Sequence, residues 1–244
     1  MESFYTQSQQ VQQIIKGLNL TKTLFVSSII IGEPHTGKKT LVRYLFPDAP
    51  VVSGEDQEAV ESLLQETDEL IITDFEKLRN HEALQFDNKR VIATANYIAN
   101  QHTIDSLFAF IYHLPSLKER PEDTAFIKEK FIKEACSVLM IETSALPTGN
   151  IPINLSQNSK SLKKTIYQYL MNKSMGKEEI QQAIYHYILE NLEGNNGYKE
   201  HLDLYEVPLI EAGLEKFKSQ LQLSQVLGIN RNTLRKKIHE HRID

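Results

Sequence analysis

The sequence predicts an α/β protein with a parallel-sheet core around a phosphate-binding loop, then a helical region, then an all-α helix-turn-helix at the C-terminus. Three observations carry this. Apolar runs of strand length alternate with helical periodicities over the first 120 residues, the pattern of a parallel sheet covered by helices. One of those runs gives way to a glycine-containing loop and then a helix, the context a phosphate-binding loop requires. The last stretch, residues 219–244, reads as two short helices joined by a glycine turn, the second of them basic.

Composition sets the bounds. A chain of 244 residues, 41% hydrophobic and 24% charged, is an ordinary soluble globular protein with room for one large domain or two to three small ones. The single cysteine, Cys136, excludes an internal disulfide framework and suits a reducing cytoplasm; it reads as a small buried apolar residue. No run approaches the ~18 apolar residues of a membrane span, and residues 1–10 lack a basic region followed by an apolar core. A cytoplasmic protein with no membrane partner is expected. His113, His186, His201, His239 and His241 show no metal-ligand spacing.

In chain order, residues 9–20 place Val11, Ile14, Ile15 and Leu18 at helical spacing, and residues 24–31 form an apolar run of strand length. Gly32, Glu33, Pro34, His35, Thr36, Gly37, Lys38, Lys39 and Thr40 follow, then Leu41, Val42 and Leu45 in helical register. Gly32 and Gly37 let backbone N–H groups wrap an anion, the helix start adds a positive dipole end, and Lys38 reaches the outer phosphates. Lys39 stands where the general motif has a hydroxyl for magnesium, although Thr40 lies next to it. His35 stands where many such loops have glycine and would tolerate φ > 0 at a cost. The alternative is a relic loop that only turns the chain.

Val51 and Val52 suggest a short strand, with Ser53 capping a helix that bears Ala59, Val60, Leu63 and Leu64. Residues 70–74 read as a buried strand ending in Asp74, placed to hold the water shell of magnesium. The catalytic glutamate of that pattern should follow at once, yet Phe75 is there and Glu76 comes one place late. Residues 90–96 form a third strand ending in Asn96, a polar amide placed as a γ-phosphate sensor. Parallel strands gather such residues at their C-terminal ends, where ligands bind.

Residues 177–192 form an amphipathic helix with Ile180, Ala183, Ile184, Tyr187 and Ile188 on one face, stopped by Gly194. Near the C-terminus, Ser219 can cap a first short helix whose Leu221, Leu223, Val226 and Leu227 face inward. Gly228 supplies a turn, and Asn230 can cap a second helix anchored by Leu234 and Ile238. Arg231, Thr233, Arg235 and Lys236 then point outward from its N-terminal half, the part that enters a major groove. Arginine reads guanine bidentately, and lysine and threonine suit phosphates and thymine edges. Residues 228–244 hold five Lys/Arg against two acids, a local +3 on a chain of net −5. A basic patch on an acidic body suits aimed contact with double-stranded DNA.

Two resemblances sharpen this reading. From residue 207 onward the chain resembles the C-terminal DNA-binding domain of the Fis family, most closely in GINRNTLRKK, residues 228–237. The resemblance implies that Asn230, Arg231, Thr233, Arg235 and Lys236 touch DNA and that a helix over about 205–217 helps form a dimer. Where the family usually has glycines and asparagine before its first short helix, this chain has Phe217, Lys218 and Ser219. Residues 9–170 resemble the AAA+ domain of NtrC-type, sigma-54 dependent activators, in GEPHTGKK, IITDF, VIATAN and LPSLKERPED, the last at residues 114–123. That resemblance implies a helical lid after residue 120 carrying Phe126, Ile127, Phe131 and Ile132, a Pro/Gly loop at 145–153, and Lys160 in place of the sensor II arginine. It also implies ATP or ADP, with magnesium, as ligand.

The departures from that family bear on mechanism. The 36 positions from Lys38 to Asp74 hold no GAFTGA loop, the part that touches the sigma factor, and the places of the two trans-acting arginines fall on Asn100 and Ser106. An arginine finger is worth about 10³ to 10⁵ in rate in related NTPases. The expectation is therefore a degenerate AAA+ core over 1–120, an α-helical lid over 121–194, a linker over 195–203 and a Fis-type DNA-binding domain over 204–244. Such a chain is a bacterial transcription regulator, a homodimer or higher homo-oligomer, that binds ATP without efficient hydrolysis and makes no sigma-54 contact. The alternatives are a working ATPase that remodels a DNA-bound complex, with Glu76 or another acid replacing the missing glutamate, and an oligomeric nucleoid or adaptor protein.

Overall fold

A computed structural model describes residues 4–22, 24–81, 84–98, 100–141 and 151–243. The described chain divides into two compact units, Met1–Ser174 and Met175–Asp244.

The first unit is built on five parallel strands, β1 (Ser28–Ile31), β2 (Val51–Ser53), β3 (Glu69–Thr73), β4 (Arg90–Ala95) and β5 (Phe110–His113), in the order β2-β3-β4-β1-β5. The central strands β1, β3 and β4 bury both faces, which is why they read as continuous apolar runs rather than alternating ones. Ile30, Ile71 and Ile92 face α1 (Gln9–Thr21) and α2 (Lys38–Leu45), meeting Val11, Leu18, Leu41 and Val42. Ile29, Ile31, Leu70, Ile72 and Ala93 face the other way, onto Val60 and Leu64 of α3 (Gln57–Glu66) and Ile104 of α4 (Gln101–Leu107). In this order β1 lies between β4 and β5, and β4 between β1 and β3. The residues that follow β1, β4 and β3, namely Gly32, Asn96 and Asp74, therefore emerge side by side.

After β5 come α5 (Pro121–Val138) and α6 (Asn158–Ser174), which pack on each other through Ala135, Cys136, Leu162, Ile166 and Leu170. Cys136 is buried there as a small apolar residue, as the sequence suggests. The second unit contains α7 (Lys177–Asn191), the short α8 (Gly197–Glu200), α9 (Asp203–Phe217), α10 (Gln220–Leu227) and α11 (Arg231–Glu240). Its core is small: Ile210, Leu223 and Leu234, flanked by Leu214, Phe217, Leu227 and Ile238.

Several local expectations need correcting. The run 24–31 becomes strand only from Ser28, where pairing with both β4 and β5 begins; Leu24 and Phe25 stay exposed before it. The cap of α3 is Asp56, whose carboxylate accepts from the Ala59 N–H at 3.0 Å, while Ser53 is the last residue of β2. In α10 Leu223 and Leu227 turn inward, four residues and so about one turn apart, while Leu221 and Val226 stay 54% and 59% exposed. The helix α7 falls in the second unit, and none of its residues is buried. Residues 195–203 hold α8 and the first residue of α9. The Pro/Gly loop at 145–153 lies, except for its last three residues, outside the described residues.

Candidate functional site

The glycine loop between β1 and α2 has the backbone of an anion cradle. Gly37 caps α2 in the left-handed region at φ 101°, and His35 stands at φ 62°, a conformation that disfavours any residue with a Cβ. Gly32 is required for a different reason: a Cβ there would sit 2.5 Å from the Leu114 carbonyl oxygen at the end of β5. Lys38 is buried and folded back on the loop, its Nζ donating to the carbonyls of Gly32 and Glu33, both at 2.7 Å, and to Asn96 Oδ1 at 3.1 Å. Burial brings its pKa down to about 8, against the opposing pull of Glu76 and Asp74. The His35 imidazole is likewise held below its ordinary value, first by burial and then by the charges of Lys160, Lys38 and Lys39. Three ammonium groups converge on this loop, as an anion site requires.

Asp74, at the end of β3, adopts φ 54°, and its carboxylate bonds the Lys39 ammonium at 2.6 Å. That left-handed residue and the 3₁₀ turn at Phe75–Lys77 send Phe75 into the core, 2% exposed and edge-on to Phe108. They swing Glu76 to the cradle, where its Oε1 accepts from Asn96 Nδ2 at 2.6 Å, leaving Oε2 buried without a partner. Glu76 is therefore linked to Lys38 through Asn96. The two positions expected to carry trans-acting arginines serve their own helix. Asn100 caps α4, accepting from the N–H groups of His102 and Thr103, and the Ser106 hydroxyl donates to the Thr103 carbonyl.

Two further residues brace the loop from outside, and local sequence patterning did not single them out. Arg120, 1% exposed, donates to the Thr36 carbonyl at 2.7 Å and pairs with buried Asp123 at 3.5 Å. Asn158, at the start of α6, donates to the Glu33 carboxylate at 2.9 Å and the Pro34 carbonyl at 3.0 Å, and accepts from the Leu117 N–H. Next to it, the backbone N–H and hydroxyl of Ser159 both reach the His35 carbonyl. Beside Gly37 lies a cleft of about 180 Å³ lined by Phe4, Tyr5, Thr40, Leu117, Phe126 and Phe131, among others. Tyr5 stacks on Phe126 with ring centroids 3.8 Å apart, and Asp123 accepts from the Thr6 hydroxyl and the Gln7 N–H. The hydroxyl residue Thr40 thus lines this cleft.

In the second unit, the Ser219 hydroxyl accepts from the Gln222 N–H to cap α10, Gly228 turns the chain at φ 67°, and Asn230 caps α11 by accepting from the Asn232 N–H at 2.8 Å. Leu234 is fully buried against Leu223 and Ile210. Glu206 on α9 pairs with Lys237, and with His241 at 2.9 Å, so its carboxyl is held below the usual range by those two partners. That network ties the end of α11 to α9 and takes Lys237 out of the binding face. Asn230, Arg231, Thr233, Arg235 and Lys236 are all exposed, with Lys236 in a loose pair with Glu240 at 3.6 Å. Residues 202–241 match the family model described as bacterial regulatory protein, Fis family.

The C-terminal unit carries a Fis-family helix-turn-helix. Its α9, α10 and α11 all lie within the matched residues. Lys218 adopts φ 52° at the C-cap of α9, a left-handed conformation that favours glycine. The fold of the chain is similar to that of NtrX from Brucella abortus. In complex with ATP, that structure gives a TM-score of 0.56 at 13% identity, covering 99% of this chain and 69% of NtrX. In complex with ADP, the TM-score is 0.53 at 12% identity, covering 99% and 70%. With the sheet order above, this gives a parallel α/β fold like that of NtrX, followed by the Fis-type helix-turn-helix. No curated protein matches the chain in sequence, and among the described residues no helix is long and apolar enough to cross a membrane.

Proposed function

We propose that the protein is a bacterial, cytoplasmic transcription regulator that binds double-stranded DNA through α11, as a homodimer or higher homo-oligomer, with ATP or ADP as a ligand of its AAA+ core rather than a fuel. The division into a core over 1–120, a lid beyond it and a DNA-binding domain from 204 belongs to this reading. The observation that carries it is the exposed row Arg231, Thr233, Arg235 and Lys236 on a Fis-family recognition helix whose other side is buried at Leu234. Arg235 and Arg231 are suited to base edges and Lys236 to a phosphate.

Support for nucleotide binding comes from the positive-φ loop, Lys38, Lys160 near His35, and Asn96 beside Lys38. An aromatic cleft adjoins the loop and is suited to stacking a base. Slow turnover follows from Asn100 and Ser106, which supply no positive charge to a neighbouring subunit. The chain between Lys38 and Asp74 is taken up by α2, β2 and α3, with only Thr67 and Asp68 joining α3 to β3, so no long loop stands ready to engage sigma-54. One observation favours a second reading, a working ATPase: Glu76 reaches Asn96 and through it Lys38. Binding of the purified protein to a pool of genomic fragments, with and without ATP, tests the proposal. Enrichment of a shared site supports it, and capture of no fragment in either condition overturns it in favour of an adaptor. In the same spirit, ATP-dependent stimulation of a sigma-54 promoter in vitro by this protein would refute the absence of sigma-54 contact.

A further inference from the structure

A phosphate loop ordinarily holds magnesium with a hydroxyl one place after its lysine and with the acid that ends the neighbouring strand. In this chain neither group suits a metal. Lys39 occupies the hydroxyl position, and its own ammonium bonds the Asp74 carboxylate at 2.6 Å. Asp74 is mostly buried and held at φ 54° in a tight turn, so its direction is set by the backbone. The next hydroxyl, Thr40, lines the aromatic cleft with Phe4, Tyr5 and Leu117. Glu76 gives one carboxylate oxygen to Asn96. Magnesium needs near-octahedral oxygen ligation and keeps a shell of waters, and an ammonium bonded to its carboxylate both fills that place and repels a dication.

We infer that the Lys39 ammonium takes the place of the divalent cation, so that this site binds the nucleotide polyphosphate without a metal. An ammonium has three N–H donors. One is committed to Asp74, which fixes the group beside the loop, and the other two are free to take oxygens of the outer phosphates. The substitute matches the metal in sign and position but not in chemistry: it offers charge and hydrogen bonds, without the octahedral clamp across two phosphates that helps line up an attacking water. Lys38, Lys39 and Lys160 around His35 then supply the positive charge that a polyphosphate needs with no help from a cation.

This inference rests on the nucleotide reading, and titration of the full chain with ATP, followed by calorimetry and by thermal shift, separates the two. Wild type is expected to bind ATP in EDTA with an affinity within about twofold of that in excess magnesium, whereas Lys39→Ser loses about tenfold or more in EDTA. Lys39→Arg, which keeps a charged donor for Asp74, is expected to retain binding in EDTA. Because Lys39 is half exposed, nucleotide-free melting of each variant should match wild type and serves as the folding control. Wild-type binding that collapses in EDTA and returns with magnesium overturns the inference while leaving the nucleotide reading intact. Equal wild-type binding in both buffers with Lys39→Ser unaffected overturns the role of Lys39, and no binding in either buffer overturns the nucleotide reading itself.

Discussion

The two binding regions differ in how far their polar groups are already satisfied. At the cradle, Lys38 is bonded to two carbonyls and Asn96, Asn96 to Glu76, and Lys39 to Asp74, in a unit whose sheet is buried on both faces. On α11 the groups proposed to read DNA stand exposed, on a unit with three fully buried apolar side chains. A nucleotide bound there as proposed would have to exchange existing bonds for new ones, and that exchange would lower its net affinity. DNA bound as proposed would meet an exposed face with little to rearrange, on a unit with a small core.

The sharpest way to break this contrast is to remove the small core. Leu234→Ala should cost about 2 to 5 kcal/mol, enough to unfold the helix-turn-helix and abolish DNA binding, while an ATP-induced rise in melting temperature of the first unit survives. Loss of both activities together would show that the two units do not behave separately. Next in size, Arg235→Ala should weaken specific DNA binding by about 1 to 3 kcal/mol and relax sequence preference, whereas Lys236→Ala should weaken all sequences alike and reduce the salt slope by about 1. Gel shifts over a range of salt concentrations distinguish them.

The cradle has its own signature in pH. Burial lowers the pKa of Lys38 to about 8 from 10.5, so between those values the unfolded chain binds more protons than the folded one and stability rises with pH across that window. Phosphates favour the charged lysine. ATP binding should accordingly take up a proton near pH 8 and weaken as pH rises further, which calorimetry in buffers of different ionisation enthalpy can read. The smallest effect is local: Lys218, at φ 52°, should be replaced by glycine with a gain of about 0.5 to 1 kcal/mol, measurable as a shift in the denaturation midpoint of the second unit and without effect on ATP.

How much of this was legible in the sequence also differs between the regions. The strands ending at Ile31, Thr73 and Ala95 and the helix after Lys38 announce themselves because both faces of the sheet are buried, and so do the caps Ser219 and Asn230 because capping is a local property. The edge strand β5 and the short α4 do not: β5 is half exposed and α4 buries only Ile104, so neither has an apolar period. Counting residues after Asp74 finds Glu76 one place late but not its reach to Asn96, which depends on one left-handed residue and a 3₁₀ turn. Arg120 and Asn158 brace the loop from 84 and 124 positions away, a distance over which no local pattern carries information. The inward set assigned to α10 erred by treating every apolar residue as a core residue, when Leu221 and Leu223 lie on nearly opposite sides of a helix.

If the nucleotide is held and not spent, one preparation shows it by thermal shift and phosphate release in parallel. ATP at 100 times its dissociation constant should stabilise the native state by about 2.7 kcal/mol with no release above background, and Lys38→Ala, compared against its own nucleotide-free melting, should lose that shift. Steady phosphate release that Lys38→Ala eliminates would contradict this and favour the working ATPase.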